Sequence, residues 1–156
     1  MIAALLLATL ASASNAHAQP RPKIAISLEV RTEGRPDRDA AASRLLADVR
    51  KGLEALDDVE LLESSDGARR TIWIVGGATP GPYAASVIVT ERYDRETLMV
   101  LGIEDEDMAF RMMALRIVID HQIFTGRNLQ DLAKRIVAAV NTGAFARLRA
   151  LPPKPD

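Results

Sequence analysis

Apolar and polar residues alternate from Lys23 to Val30, with Ile24, Ile26, Leu28 and Val30 on one side and Lys23, Ala25, Ser27 and Glu29 on the other. Successive side chains of a strand point to opposite faces, so this spacing predicts a strand with one face buried. Gly34 and Pro36 then mark a loop, and the period changes. Ala42, Leu45, Leu46, Val49, Leu53 and Leu56 recur three or four residues apart, with Arg44, Asp48, Arg50, Lys51 and Glu54 on the remaining surface. This predicts an amphipathic helix from about Asp39 to Leu56, capped by Asp37 or Asp39 and docked by one face. Asp57 and Asp58 end it, Val59 to Leu62 predicts a short strand, and Ser64 to Gly67 a loop.

Thr71 to Ile103 reads as the middle of a sheet. Thr71 to Val75 and Tyr83 to Arg92 are rich in strand formers, and the Gly/Pro cluster from Gly76 to Pro82 joins them as a hairpin. In the second strand Tyr83, Ala85, Val87 and Val89 share a face, while Ser86, Thr90 and Arg92 share the other with Ile88 among them. One face is therefore buried and the other partly wet. Tyr93 to Glu96 reads as a polar turn, and the continuous apolar run from Leu98 to Ile103 as a central strand. The four acids Glu104 to Asp107 cannot be buried together and belong in a solvated turn.

Met108 to Ala114 fits a helix and a strand equally well. Leu115, Ile117, Ile119, His121 and Ile123 then alternate with Arg116, Val118, Asp120, Gln122 and Phe124, which predicts a late strand ending at Thr125-Gly126, with His121 on its apolar side. Asn128, followed three residues later by Asp131, approximates a capping box for a second helix. Leu129, Leu132, Ala133, Ile136, Val137 and Val140 form its apolar stripe, and Asn141-Thr142-Gly143 its stop. Phe145, Leu148 and Leu151 extend the pattern by a turn or two before a Pro-rich tail. The sum is an α+β domain: a two-layer sandwich in which two amphipathic helices pack on one face of a mostly antiparallel sheet.

Composition changes this picture in two respects. A chain of 156 residues with 48% hydrophobic residues, 26% charged residues and a net charge of -1 suits one globular domain. Near-neutrality also supplies no basic face for phosphates, which argues against nucleic acid as a partner. The second respect is export. Ile2 to Leu10 is a short apolar run, and Ala16-His17-Ala18 supplies an A-x-A cleavage pattern, although no Lys or Arg precedes the run. We read residues 1–18 as a cleavable signal peptide, 19–151 as one domain and 152–156 as an extended tail. The run is too short to span a hydrocarbon core of roughly 30 Å, so no stable membrane anchor is expected after cleavage. With no cysteine, there is neither a disulfide nor a thiol to carry a lipid. A soluble periplasmic or secreted protein is the expectation. In element order and export the chain resembles the amino-terminal domain of TolB-type envelope proteins, without a shared motif.

Candidate chemistry is sparse. His17 leaves with the signal, so His121 is the one imidazole of the mature chain, and neither a site with several histidine ligands nor a Cys/His pair can be built. A Ser-His-Asp arrangement would need His121 with an acid other than Asp120, which points to the opposite face of the strand. His121 is thus expected to be a hydrogen-bonded structural residue. Gly76 to Pro82 lacks the G-K-[ST] ending of a phosphate loop, and its prolines remove donors. The acids at 104–107 lack the alternating spacing of a calcium loop. Aromatic residues make up 4% of the chain, too few for stacking platforms; Trp73 is expected in the core.

No catalytic residue, metal site or cofactor is therefore assigned. Thr79, Tyr83, Trp73 and His121 are the candidate contacts for a partner or ligand. The expected function is a non-enzymatic interaction module of the cell envelope, binding an envelope protein or itself through a free sheet edge or the second sheet face. The alternative is a small-ligand binder or hydrolase with its site between the 76–82 loop and His121.

Overall fold

A computed structural model describes residues 23–31, 40–65, 68–77 and 82–150. The expectations for the signal peptide, the Asp37 or Asp39 cap, Thr79 and the Pro-rich tail fall outside these residues. The elements are β1 (Ile24–Arg31), α1 (Ala40–Glu54), β2 (Val59–Leu62), β3 (Arg70–Gly77), β4 (Tyr83–Arg92), α2 (Arg95–Val100), α3 (Glu106–Ala114), β5 (Arg116–Gly126) and α4 (Leu129–Val140). A π-helical turn, Asn141–Phe145, then leads into α5 (Ala146–Ala150).

The fold is α+β. Its five strands lie in the order β2-β1-β3-β4-β5, and the sheet is mixed: β1 runs parallel to β2 and to β3, while β3-β4 and β4-β5 are antiparallel. The antiparallel expectation holds for the half that contains the hairpin. Parallel β1-β2 pairing follows from α1, which returns the chain to the same end of the sheet. Ile26, Leu28, Ile72, Ile74, Val87 and Val89 are buried on one face against Leu45, Val49 and Leu53 of α1 and Leu132, Ile136 and Val140 of α4. The predicted stripe of α1 is shifted slightly, since Leu45 is fully buried and Leu46 only half so. At Gly52 a side chain would place its Cβ 2.8 Å from Val137 Cγ2, which is why α1 and α4 can approach closely there.

Three stretches depart from the sequence reading. Gly76 and Gly77 do not open the loop; they extend β3 and pair with Ala85 and Ala84. Leu98 to Ile103 is not a strand. Asp94, expected in a polar turn, caps α2 by accepting a hydrogen bond from the Thr97 amide at 2.7 Å. At the other end Gly102, with φ of 77°, donates to Met99 O, and Ile103 donates to Leu98 O, so the helix closes in a Schellman motif. Asp105 likewise caps α3 through the Met108 amide, which resolves Met108 to Ala114 as helix and makes Glu106 and Asp107 its favourable acidic first turn.

The third departure is at the C-terminal helix, where Asn141 to Gly143 does not stop the chain. All three residues continue as a π-helical turn, and this carries Phe145 into the core with no exposed surface. Asn128 caps α4 as expected, accepting from the Gln130 and Asp131 amides at 2.9 and 3.2 Å. Arg149 of α5 reaches back to Asp58 with two hydrogen bonds of 2.5 and 2.9 Å, tying the end of the described chain to the turn before β2.

Candidate functional site

The face of the sheet opposite α1 and α4 carries Trp73 and His121, two of the four candidate contacts, in cross-strand rows. Glu29, Trp73, Ile88 and His121 are successive partners across β1, β3, β4 and β5. With strands about 4.8 Å apart, Trp73 and His121 stand roughly 10 Å from each other with Ile88 between them. The neighbouring row contains Val75, Ser86 and Ile123. The row on its other side, Ser27, Thr71 and Thr90, is buried and polar; Ser27 Oγ and Thr71 Oγ1 lie 2.8 Å apart in a hydrogen bond.

Of the four candidate contacts, Trp73 and His121 therefore share a face. Trp73 is half-buried on it rather than enclosed in the main core. Tyr83 lies on the other face, 6% exposed within the core beside Ala85 and Phe124. This placement excludes it from any site with His121. Thr79 lies outside the described residues.

His121 is exposed and sits mid-strand on the open face, not on the apolar side. The register of β5 explains the difference. Asp120, Gln122 and Phe124 pair with Val89, Val87 and Ala85 and so take the core side, leaving His121 and Ile123 outside. An irregularity between Val89 and Thr90 pairs Thr90 with Val118 and makes Ile119 an extra residue, a local bulge that no alternation of apolar residues reveals.

His121 Nε2 is 2.8 Å from Ser86 Oγ, a diagonal contact between β4 and β5. Ser86 had no sequence signal, because its partner is fixed by register alone. The pair has the geometry of a nucleophile and a base. Asp120 cannot orient the imidazole, since it faces the core side and accepts a hydrogen bond from Gln122 Nε2 at 3.1 Å. Among the described residues no group of three or more His, Asp or Glu side chains is placed to hold a metal.

A different feature dominates the surface. Among the described residues the exposed large apolar side chains are Met99, Val100, Leu101, Met108, Phe110, Leu115, Ile117, Val118 and Ile123, all within α2, α3, β5 and their connections. Val100, Phe110 and Ile123 are 83, 73 and 71% exposed. β5 is also the edge of the sheet, with no described strand on its outer side, and at eleven residues it is far longer than β2 at the other edge. A long edge with exposed apolar side chains and no neighbouring strand is a template for pairing with another chain, although Arg135 Nη1 already donates to Thr125 O at 3.0 Å near the end of β5.

Polar contacts hold α2 and α3 in place. Asp94 caps α2 and also meets Arg69 at 2.7 Å, and Arg69 in turn meets Glu91 at 2.7 Å. Arg95 reaches Glu106 at 2.9 Å, linking the two helices. The buried apolar contribution is small: Leu98 in α2 and Ala109 in α3, neither part of the main core.

Two open cavities lie along the seam of α1 and α4, away from His121. One, of about 670 Å³, is lined by Arg44, Asp48, Arg127, Asn128, Leu129 and Gln130. The other, of about 440 Å³, has a floor of Gly52, Ala55, Ala133 and Val137 between Lys51 and Lys134.

No known protein family and no curated protein matches the chain. Among solved structures it is similar to the hypothetical protein CT253 from Chlamydia trachomatis, at 13% identity and a TM-score of 0.49, over 80% of this chain and 99% of that one. It is also similar to two PelC dodecamer structures from Paraburkholderia phytofirmans. One has 14% identity and a TM-score of 0.40, over 79% of this chain and 88% of that one. The other has 16% identity and a TM-score of 0.35, over 79% and 91%. Likeness at this level assigns no function.

Proposed function

We propose that the chain is an exported, non-enzymatic interaction module of the cell envelope, working in the periplasm or outside the cell by binding an envelope protein or another copy of itself. The observation that supports this most is the open edge of β5 with Val118 and Ile123 exposed along it. Pairing at such an edge takes affinity from main-chain hydrogen bonds and specificity from alternate side chains. Export rests on Ile2 to Leu10 and the Ala16-His17-Ala18 pattern.

Ile123→Lys tests the binding reading. A charge at that position opposes edge pairing while adding no buried group, so association should weaken on the order of tenfold or more with folding intact. Unchanged association would remove β5 from the account. Intact-mass analysis of envelope fractions tests export, with Gln19 expected as the first residue; uncleaved chain confined to the cytoplasm would contradict it.

The second reading, a hydrolase, is favoured by one observation, the 2.8 Å contact between Ser86 and His121. A dyad that works should lose on the order of a hundredfold or more in rate on His121→Gln and on Ser86→Ala. Turnover of any ester, phosphate or glycoside substrate that disappears in both folded variants would replace the interaction reading.

A further inference from the structure

We propose that the apolar α2–α3 hairpin of one copy docks into the groove between α1 and α4 of another. The inference rests on the interaction reading above and names the partner as a second copy of this chain.

The hairpin presents Met99, Val100, Leu101, Met108 and Phe110 to solvent, with Glu96, Glu104, Asp105, Glu106 and Asp107 exposed among them. Only Arg95 and Arg111 offset these five acids between residues 95 and 114. Arg95 is engaged with Glu106, while Glu104 and Asp107 have no ion-pair partner among the described residues. The α1–α4 seam is the reverse. Its two cavities are lined by four bases, Arg44, Lys51, Arg127 and Lys134, and one acid, Asp48. The exposed lining residues Ala55 and Ala138 are small and leave the 440 Å³ groove open beside the two lysines, while Gly52 and Val137 meet in close contact within it.

An acid-rimmed apolar knob and a base-rimmed apolar groove are complementary in both respects that bring protein surfaces together. Hairpin against hairpin would set acids against acids, and an anionic lipid surface would repel the same rim. The knob and the groove belong to different elements, so the contact is heterologous: the copy that gives its knob keeps a free groove, and the copy that receives it keeps a free knob. Copies would add head to tail until a ring closes or a chain grows.

Sedimentation velocity of the mature chain over a concentration series, at low and high salt, tests this. The wild type should associate, and less so at high salt. Lys51→Glu with Lys134→Glu should weaken association at least tenfold, and so should Glu104→Lys with Asp107→Lys; all four positions are exposed, and circular dichroism should show both proteins folded. An equal mixture of the two double variants should associate again, because each then offers the other a complementary knob and groove.

A wild type that stays monomeric, double variants that associate like the wild type, or a mixture that fails to reassociate would each overturn the proposal. A monomeric wild type whose β5 edge still binds another envelope protein would leave the interaction reading standing and remove only this partner. Flotation of the wild type with phosphatidylglycerol vesicles, lost on Phe110→Ser, would also overturn it and point to a lipid surface instead.

Discussion

Two pairs of helices attach to the same sheet and treat their apolar residues in opposite ways. In α1 and α4 the stripe of Leu45, Val49, Leu53, Leu132, Ile136 and Val140 is turned inward and buried. Along the apolar run of α2 only Leu98 is buried, and Met99, Val100 and Leu101 face solvent. The first pair is held by area removed from water, the second by caps, a Schellman close and ion pairs. Burial therefore marks where the fold is made. The apolar side chains left outside are where we propose that the molecule contacts a partner.

The comparison can be broken most forcefully at the core. Phe145→Ala should cost about 3–5 kcal/mol and Leu53→Ala about 2–5 kcal/mol in chemical denaturation, since both side chains are fully buried. Phe110→Ala, the same deletion at an exposed site, should stay within about 0.5 kcal/mol of the wild type. A large loss at Phe110 would mean that the hairpin is part of the core.

Intermediate effects are expected at the ends of α2. Asp94→Ala removes the cap and the Arg69 pairing and should cost about 0.5–2 kcal/mol. Gly102→Ala places a Cβ on a residue with φ of 77°, and should cost about 1–2 kcal/mol although nothing lies within 4 Å to clash. Hydrogen exchange at Thr97, Gly102 and Ile103 would report whether the helix has frayed.

A smaller, pH-dependent effect is expected at Asp58. Its two hydrogen bonds with Arg149 hold its carboxyl below the usual carboxylate range. A group depressed in this way contributes stability above its unfolded pKa and loses it as the pH falls through its folded one. The difference between wild type and Asp58→Asn should be full at neutral pH and should close below about pH 4. A difference that grows on acidification would show that the Arg149 contact is not what Asp58 provides. The smallest effect should be Arg50→Ala, which removes a surface ion pair with Glu54 at 3.9 Å.

The contrast also explains which parts were legible in the sequence. β1, α1, β4 and α4 each bury one face, so a period of two or of 3.6 is printed on them, and their bounds were within reach of pattern alone. The run from Leu98 to Ile103 has no such imprint because nearly all of it is on the surface. Its helical signals were Asp94, three residues before Thr97, and Gly102 before Ile103, and apolar content concealed them. On β5 the alternation was real but its sense is reversed beyond the bulge at Ile119, because core contact from Asp120 to Phe124 is set by pairing with Val89, Val87 and Ala85 and not by which of Ile123 and Phe124 is more apolar. The Ser86–His121 contact depends on that register and had no local signature at all.

We propose that the surface from Met99 to Ile123 is where this chain meets another protein. The most direct measurement is photo-crosslinking in cells from single positions, with the crosslinker at Val100, Phe110 or Ile123 and at Glu60 on the opposite sheet edge as the control. Discrete protein adducts are expected from the first three and none from Glu60. Adducts from Glu60 alone, or none from any of the three, would contradict it.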